Sequence, residues 1–240
     1  MIPAKIMQEE YRRGLNRINT SYEQNMGVID ADAFINSAID AVFENIAIKF
    51  ERDTLMRNHL RQLEVKKKKL KAKKVDKDTS KVDYPENFYM LTRQFAKACK
   101  EGCTEERVID LYMIQTSDLS QSLRDPNWKP SFEWEQALVE DAANSLLIYH
   151  NCEFDIKEVE IDYLRKPKHI ATPSLLQTGC DYVVNGKTIT ADINFEIDST
   201  ALWRSIIRVA IVMTLVAMGD PIDYQLEMSN AMSLDKIFIA

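Results

Sequence analysis

The run Trp203–Met218, WRSIIRVAIVMTLVAM, is the most apolar stretch of the chain and constrains its fold most strongly. From Ile206 onward, apolar residues occupy every side of a helical wheel. Ser199 can cap the start of this helix through its hydroxyl, and Gly219 can end it because glycine readily adopts the left-handed conformation. At about 1.5 Å per residue the run spans roughly 24 Å, which is less than the ~30 Å hydrocarbon layer of a membrane. We therefore predict a helix buried in a core or an interface, and not a membrane span.

Length and charge limit the remaining possibilities. A chain of 240 residues can form one large domain or two small ones. Four irregularly spaced cysteines and an N-terminus without a signal-peptide apolar core fit reduced thiols in a cytosolic setting. Residues 1–82 carry 17 Lys and Arg against 12 Asp and Glu, whereas residues 83–240 carry 14 against 25. This asymmetry predicts different neighbours for the two parts, or attraction between copies.

The first part of the chain has helical periodicity. We predict a short helix over Gln8–Asn19 and a longer one from Asp30 to about Leu63, with Asp30 or Asp32 as its cap. Its apolar positions recur every three to four residues: Ile35, Ile39, Val42, Ile46 and Phe50. The N-terminal part should therefore be a helical region.

Glu64–Lys81 contains nine lysines and three acids. The simplest interpretation is a solvated loop or a mobile arm. The alternative is an arm that contacts phosphates or a partner, through Lys66, Lys67, Lys68 and Lys69. No aromatic residue alternates with the lysines, so base stacking is not indicated.

The middle of the chain has the composition of β-strands. Three segments favour strands: Arg107–Gln115, Leu146–Tyr149 and Ile156–Leu164. Phe88–Lys100 fits either a helix or a strand, and the alternation in Phe132–Ala142 permits a strand. Between them, Ser117–Leu123 can form one or two helical turns.

Tyr182–Thr190, YVVNGKTIT, gives the clearest local signal. Asn185-Gly186 between strand-forming residues predicts a two-residue hairpin turn, since both turn positions require positive φ. A projecting turn often carries contacts, so Asn185 and Gly186 are candidate assembly contacts.

The order of these segments predicts an α+β fold. N-terminal and C-terminal helices would form a helical body, with a mostly antiparallel β region inserted between them. The expected divisions are 1–82, 83–197 and 198–240. Beyond the apolar helix we expect a short helix over Tyr224–Ala231 and an extended tail over Ser233–Ala240.

No catalytic motif is evident in the sequence. The three histidines lie far apart, and no glycine-rich phosphate loop or nucleophile elbow is present. Four residues could in principle bind zinc: Cys99, Cys103, His150 and Cys152. Their spacing departs from the common pattern of zinc ligands. Paired acids such as Glu158 and Glu160 are expected to face solvent. We expect no enzyme activity, no metal and no cofactor, and the apolar surface with charge asymmetry favours an assembly component.

Several stretches, in their order, resemble one family. These are EEYRRGLNRIN and the following helix IDADAFINSAIDAVFE, then YPENFYML, DLSQSLRDPNWKPSFEW, VEIDYLRKPKHI and FEIDSTALWRSIIRVAIVMTLVAMGD, which together extend from about residue 9 to 220. They resemble the ring, or head–tail connector, proteins of tailed bacteriophages, especially those of crAss-like phages and the related podovirus tail adaptors.

The resemblance implies a virion structural protein without enzyme activity or cofactor. Copies would form a ring, expected to be a dodecamer, that binds the portal protein on one side and other ring or tail proteins on the other. The ring would join capsid to tail in the neck, and genomic DNA would pass through its channel without sequence-specific binding. Such a protein is assembled in the cytoplasm of the bacterial host and contacts no membrane.

The apolar helix suits such a ring, because Arg204 and Arg208 near its start can face neighbouring copies while its other side faces the core. The alternative function is a nucleic-acid-binding module that uses Lys66–Lys74.

Overall fold

A computed structural model of the protein describes residues 1–18, 26–50, 52–100, 106–152, 154–177 and 180–219. The fold is a mixed α+β fold with a large, mostly antiparallel sheet. The chain divides into two units: unit 1 contains residues 1–63 and those from 167 onward, and unit 2 contains residues 64–166. These divisions differ from the expected ones, because the lysine-rich stretch belongs to unit 2 and the hairpin region to unit 1.

Five α-helices occur in the described residues: α1 (Ala4–Ile18), α2 (Val28–Lys49), α3 (Thr54–Leu60), α4 (Leu119–Ser122) and α5 (Thr200–Met218). The predicted helix from Asp30 to Leu63 is therefore two helices and a 3₁₀ turn, Arg61–Leu63. Asp30 and Asp32 do not cap α2, because Gly27 occupies the cap position. Asp30 lies in the first turn, where a negative charge favours the helix dipole.

Helix α5 forms the centre of unit 1, where it packs against α2 and α1. Both predicted ends are confirmed: the Ser199 hydroxyl accepts from the Leu202 amide, and Gly219 adopts φ 74°. Gly14 permits the close approach of α1, because a Cβ there would lie 2.3 Å from Cδ1 of Ile211. By length and composition alone α5 is one described helix that could cross a membrane, yet half of its apolar window is buried in the protein.

The strands of the large sheet are β1 (Glu64–Lys71), β2 (Lys73–Lys74), β3 (Thr79–Asp83), β4 (Phe88–Cys99), β5 (Glu106–Met113), β6 (Gln136–Asp141), β7 (Ser145–Tyr149) and β8 (Asp155–Arg165). The predicted strands in β5, β7 and β8 are confirmed. The ambiguous segment Phe88–Lys100 is a strand, and Phe132–Ala142 becomes one only from Gln136. Helix α4 confirms the predicted helical turns.

The sheet of unit 2 curls until its two edges meet. The strand order is β1-β8-β4-β5-β6-β7-β3-β2, and only β5 and β6 pair in parallel. The two outermost strands, β1 and β2, are separated by the single residue Ala72, whose amide donates to the Lys157 carbonyl at 3.3 Å. One continuous stretch of chain therefore pairs with β8 at one edge and with β3 at the other. The apolar core of unit 2 lies inside this curled sheet.

The lysine-rich stretch is not a loop or an arm. Glu64–Lys71 pairs along β8, from Glu64 opposite Leu164 to Lys71 opposite Glu158. A bulge between Val65 and Lys68 places Lys67 at φ 54°. Val65, Leu70 and Ala72 pack against the core, while Lys66, Lys67, Lys68, Lys69 and Lys71 are exposed. The expectation of a loop is wrong because a few apolar contacts and a partner strand suffice to form an edge strand.

The hairpin prediction is confirmed. β9 (Val183–Val184) pairs with β10 (Lys187–Thr188) across a turn in which Asn185 has φ 49° and Gly186 has φ 74°. The predicted helix Tyr224–Ala231 and tail Ser233–Ala240 lie outside the described residues.

Candidate assembly interface

The first half of α5 has an exposed side that combines positive charge with an aromatic ring. At about 3.6 residues per turn, the exposed residues Ala201, Arg204 and Arg208 share this side, which we call the arginine face. In the described part of the chain, neither guanidinium forms an ion pair, and Arg204 lies 5.8 Å from the ring centre of the half-buried Trp203. The helix therefore buries one side in unit 1 and leaves a cationic side without a described partner.

The four predicted lysines lie on β1 in unit 2, and all four are exposed. Lys66 contacts Glu64 at 3.3 Å and Lys69 contacts Glu158 at 3.3 Å. Among the described residues, the ammonium groups of Lys67 and Lys68 form no ion pair. The other predicted contacts, at the hairpin turn and on α5, belong to unit 1.

Acidic residues pair with much of the remaining lysine charge in this part of the sheet. Lys73 contacts Asp83 at 2.7 Å, and Lys74 contacts Asp155 at 2.7 Å. The hydrogen bond from Lys73 lowers the pKa of the Asp83 carboxyl. The charge asymmetry of the sequence is therefore compensated in part within unit 2, since Asp83 and Asp155 belong to the acidic part of the chain.

A polar stripe on α2 holds a distant segment in place. Asp32, Asn36 and Asp40, at i, i+4 and i+8 on one face of the helix, form what we call the polar clamp. The Asn36 side chain donates to the carbonyl of Ile170 at 3.0 Å and accepts from its amide at 2.8 Å. Asp40 contacts the ring nitrogen Nε2 of His169 at 3.0 Å. The clamp thus binds the segment that follows β8 along the surface of α2.

Asp32 is the buried end of the clamp. Its Oδ2 atom accepts from the Thr172 amide at 2.8 Å, the Thr172 hydroxyl at 2.7 Å and the Tyr182 hydroxyl at 2.8 Å. Its Oδ1 atom accepts from Nε2 of Gln8 at 3.1 Å. Burial raises the pKa of the Asp32 carboxyl, and the hydrogen bonds oppose that shift. Four donors from three parts of unit 1 therefore meet at one carboxylate.

A second exposed surface lies on unit 2. Val108, Asp110 and Tyr112 point outward from β5, because Ile109 and Leu111 between them belong to the core. The Trp128 ring meets the Tyr112 ring edge-on, with 6.2 Å between ring centres. The Glu135 carbonyl accepts from the Asp110 amide at 2.7 Å, which brings the turn containing Trp134 beside β5. Trp134 is 81% exposed and Trp128 is 54% exposed.

We call this set the aromatic patch: Val108, Asp110, Tyr112, Trp128 and Trp134. The sequence predicts a turn or loop over Arg124–Ser131, which contains Trp128, and permits a strand over Phe132–Ala142, which contains Trp134, but it assigned neither tryptophan to a surface. The signal that was available is two tryptophans within seven residues, between a strand and the next strand.

His150 is buried, its Nε2 atom lies 3.2 Å from the Ser80 hydroxyl, and burial lowers the pKa of its ring. Of the four residues considered for a zinc site, Cys103 lies outside the described residues. The described residues contain no group of three or more potential metal ligands. Glu160 is buried, which corrects the expectation that it faces solvent.

The arginine face and the aromatic patch are thus two exposed surfaces that have no partner among the described residues. No protein-family model matches the chain, and no curated protein shows significant similarity to it.

Proposed function

We propose that this protein is a virion structural protein that forms a ring in the neck of a tailed bacteriophage. The ring connects the portal and capsid to the tail and continues the channel for genomic DNA. Copies assemble as a ring, with a dodecamer as the expected state, and contact the portal protein and other ring or tail proteins. The protein has no enzyme activity, binds no cofactor and no membrane, and joins the virion in the cytoplasm of the bacterial host.

The arginine face of α5 carries this proposal. A 19-residue helix with an apolar sequence is only half buried, and two arginines without a described ion-pair partner occupy its exposed side. Exposed apolar surface beside unpaired charge is typical of an interface with another protein. A ring needs such surfaces, because each copy must bind two neighbours through different parts of its surface.

The arrangement of the resembling segments supports the same function. IDADAFINSAID supplies the polar clamp, and KPKHI supplies part of the segment that it binds. DLSQSLRDPNWKPSFEW supplies the two exposed tryptophans of the aromatic patch. The proposed architecture is a helical body, with the curled sheet inserted between its two parts.

Electron microscopy of the purified full-length chain, alone and with the portal protein from the same genome, tests the proposal. We expect ring-shaped particles on the portal, and ring density at the neck of virions that carry a tagged copy. A chain that never joins portal complexes or virions would contradict the proposal.

The alternative function is a nucleic-acid-binding module, which Lys67 and Lys68 favour because both are exposed and lack an ion pair among the described residues. Ion pairs at Lys66, Lys69, Lys73 and Lys74 oppose it, because binding phosphates there requires those pairs to be broken.

Duplex DNA binding measured over a salt series distinguishes the two functions. The module predicts steep salt dependence that weakens when Lys66, Lys67, Lys68 and Lys69 are changed to alanine. The ring predicts weak binding and no effect of these changes on assembly.

A further inference from the structure

We propose that the aromatic patch of one copy binds the arginine face of the next copy, so that these two surfaces form the repeated contact of the ring. The inference rests on the proposed function and identifies the partner of each surface as a second copy of this chain. It joins two different surfaces, and therefore leaves each copy with one free surface for the next neighbour.

The chemistry of the aromatic patch fits a guanidinium group. Asp110 is exposed between Val108 and Tyr112 on the outer side of β5, and it forms no ion pair among the described residues. A carboxylate accepts two parallel hydrogen bonds from an arginine, a geometry that lysine cannot supply. The rings of Trp128 and Trp134 offer flat, electron-rich faces on which a guanidinium can stack.

The arginine face supplies the complementary groups. Arg204 and Arg208 are one helical turn apart, so both can enter one patch from a single helix. The half-buried ring of Trp203 beside Arg204 adds apolar area that the tryptophan rings of the patch can cover. Arginine and tryptophan are also the residue types that most often dominate the energy of protein interfaces.

Charge exchange between the surfaces tests the pairing. One variant carries Arg204→Glu and Arg208→Glu, and the other carries Asp110→Lys. Each variant alone places like charges opposite each other, so we expect self-association measured by analytical ultracentrifugation to weaken by roughly 30-fold or more. In an equal mixture, the reversed arginine face meets patches that carry the Asp110→Lys change, and the unchanged surfaces meet each other, so association should return.

Lys5→Glu and Asp76→Lys serve as matched controls, since both residues are exposed and lie outside the two surfaces. They reverse charges of the same sign and should leave association unchanged. Circular dichroism of every variant should match the wild type, because all of the altered side chains are exposed.

Three results would overturn the pairing, two of them with the variants and one with the wild type. The first is association of either charge-reversed variant at the wild-type level, and the second is failure of the mixture to associate while both variants are folded. A wild-type chain that remains monomeric at every concentration would also overturn it, because the contact must then require another protein. That last result leaves the ring function intact if the chain still joins portal complexes.

Discussion

Replacing a residue of the polar clamp by alanine should lower the stability of unit 1. The loss should be larger where the replaced side chain is more deeply buried. Asp32→Ala removes the acceptor of four buried donors, from Gln8, from the amide and hydroxyl of Thr172, and from Tyr182. Nε2 of Gln8 keeps the Val28 carbonyl and the Thr172 hydroxyl as acceptors, so the donors left without a partner are those of Thr172 and Tyr182, and each costs about 1–3 kcal/mol. Removal of a buried carboxylate recovers part of that cost, since burial raises its pKa. We expect a net loss of about 3–5 kcal/mol in the free energy of unfolding, from the orphaned donors less the recovered desolvation of the carboxylate.

The other two members of the clamp provide a graded comparison. Asn36→Ala removes two hydrogen bonds to the Ile170 backbone at a half-buried position, so we expect a loss of about 1–3 kcal/mol. Asp40→Ala removes an exposed contact to His169, which is worth about 0–1 kcal/mol. The predicted order of destabilisation is therefore Asp32, then Asn36, then Asp40.

Urea denaturation followed by circular dichroism measures this order. Each variant should lower the urea concentration at the midpoint of unfolding without changing the dependence of the unfolding free energy on urea concentration. Asp32→Asn is the matched variant, because it keeps the shape of the side chain and one carbonyl acceptor, and it should lose less than Asp32→Ala. If Asp32→Ala costs no more than Asp40→Ala, the four hydrogen bonds do not hold unit 1 together and the reasoning fails.

Three further substitutions test the helix, the hairpin and a buried histidine. Ile207→Asp places a charge at a site that is 6% exposed, so this variant should not fold, as judged by circular dichroism. Val216→Asp, at an exposed position of α5, should fold, and equal stability of the two variants would show that α5 is not the core. Gly186→Val should lower the thermal midpoint because a β-branched residue resists φ 74°, and Gly186→Asn should be tolerated; no difference between the two would refute the turn geometry. Burial lowers the pKa of His150 in the folded state, so the unfolded state binds the proton more tightly and stability should fall as the pH drops below about 6.5. His150→Gln should flatten the dependence of the thermal midpoint on pH between about 7.5 and 5, and an unchanged profile would assign the pH dependence to other groups.

Local signals in the sequence predicted several elements of the fold correctly. The apolar run with Ser199 and Gly219 at its ends specifies α5, and Asn185-Gly186 specifies the hairpin, because the residues that determine each element lie within it. The alternating apolar residues of β8 likewise mark a strand whose inner side is buried.

The strand β1 could not be recognised, for a physical reason. Val65 and Leu70 are five residues apart, so strict alternation places them on opposite faces. The bulge before Lys68 inserts one extra residue and returns both side chains to the core side. Lys69 then contacts Glu158 of β8 across the sheet, at 3.3 Å. Neither the bulge nor the acidic partner strand can be read from the lysine-rich segment itself.

The polar clamp escaped the sequence analysis because its partners are distant. Asp32 and Thr172 are 140 residues apart, and polar residues at i, i+4 and i+8 of a helix ordinarily indicate its solvent side. Only the segment from His169 to Thr172, once folded against α2, reveals their function. The aromatic patch was missed similarly, because exposure of a tryptophan depends on what packs over it.

The pairing of Glu64 with Leu164 has a consequence for how this chain can vary. The chain enters unit 2 at the first of these residues and leaves it just after the second, so the two ends of unit 2 are cross-strand neighbours. A segment whose ends meet behaves as an insertion, because the host chain must only bridge the short distance between two adjacent positions. Unit 2 can therefore lengthen, shorten or be exchanged for another module while the geometry of the junction stays the same. Selection can reshape the surface of unit 2 without rebuilding the helices of unit 1, as long as the first residues of β1 and the last residues of β8 remain paired.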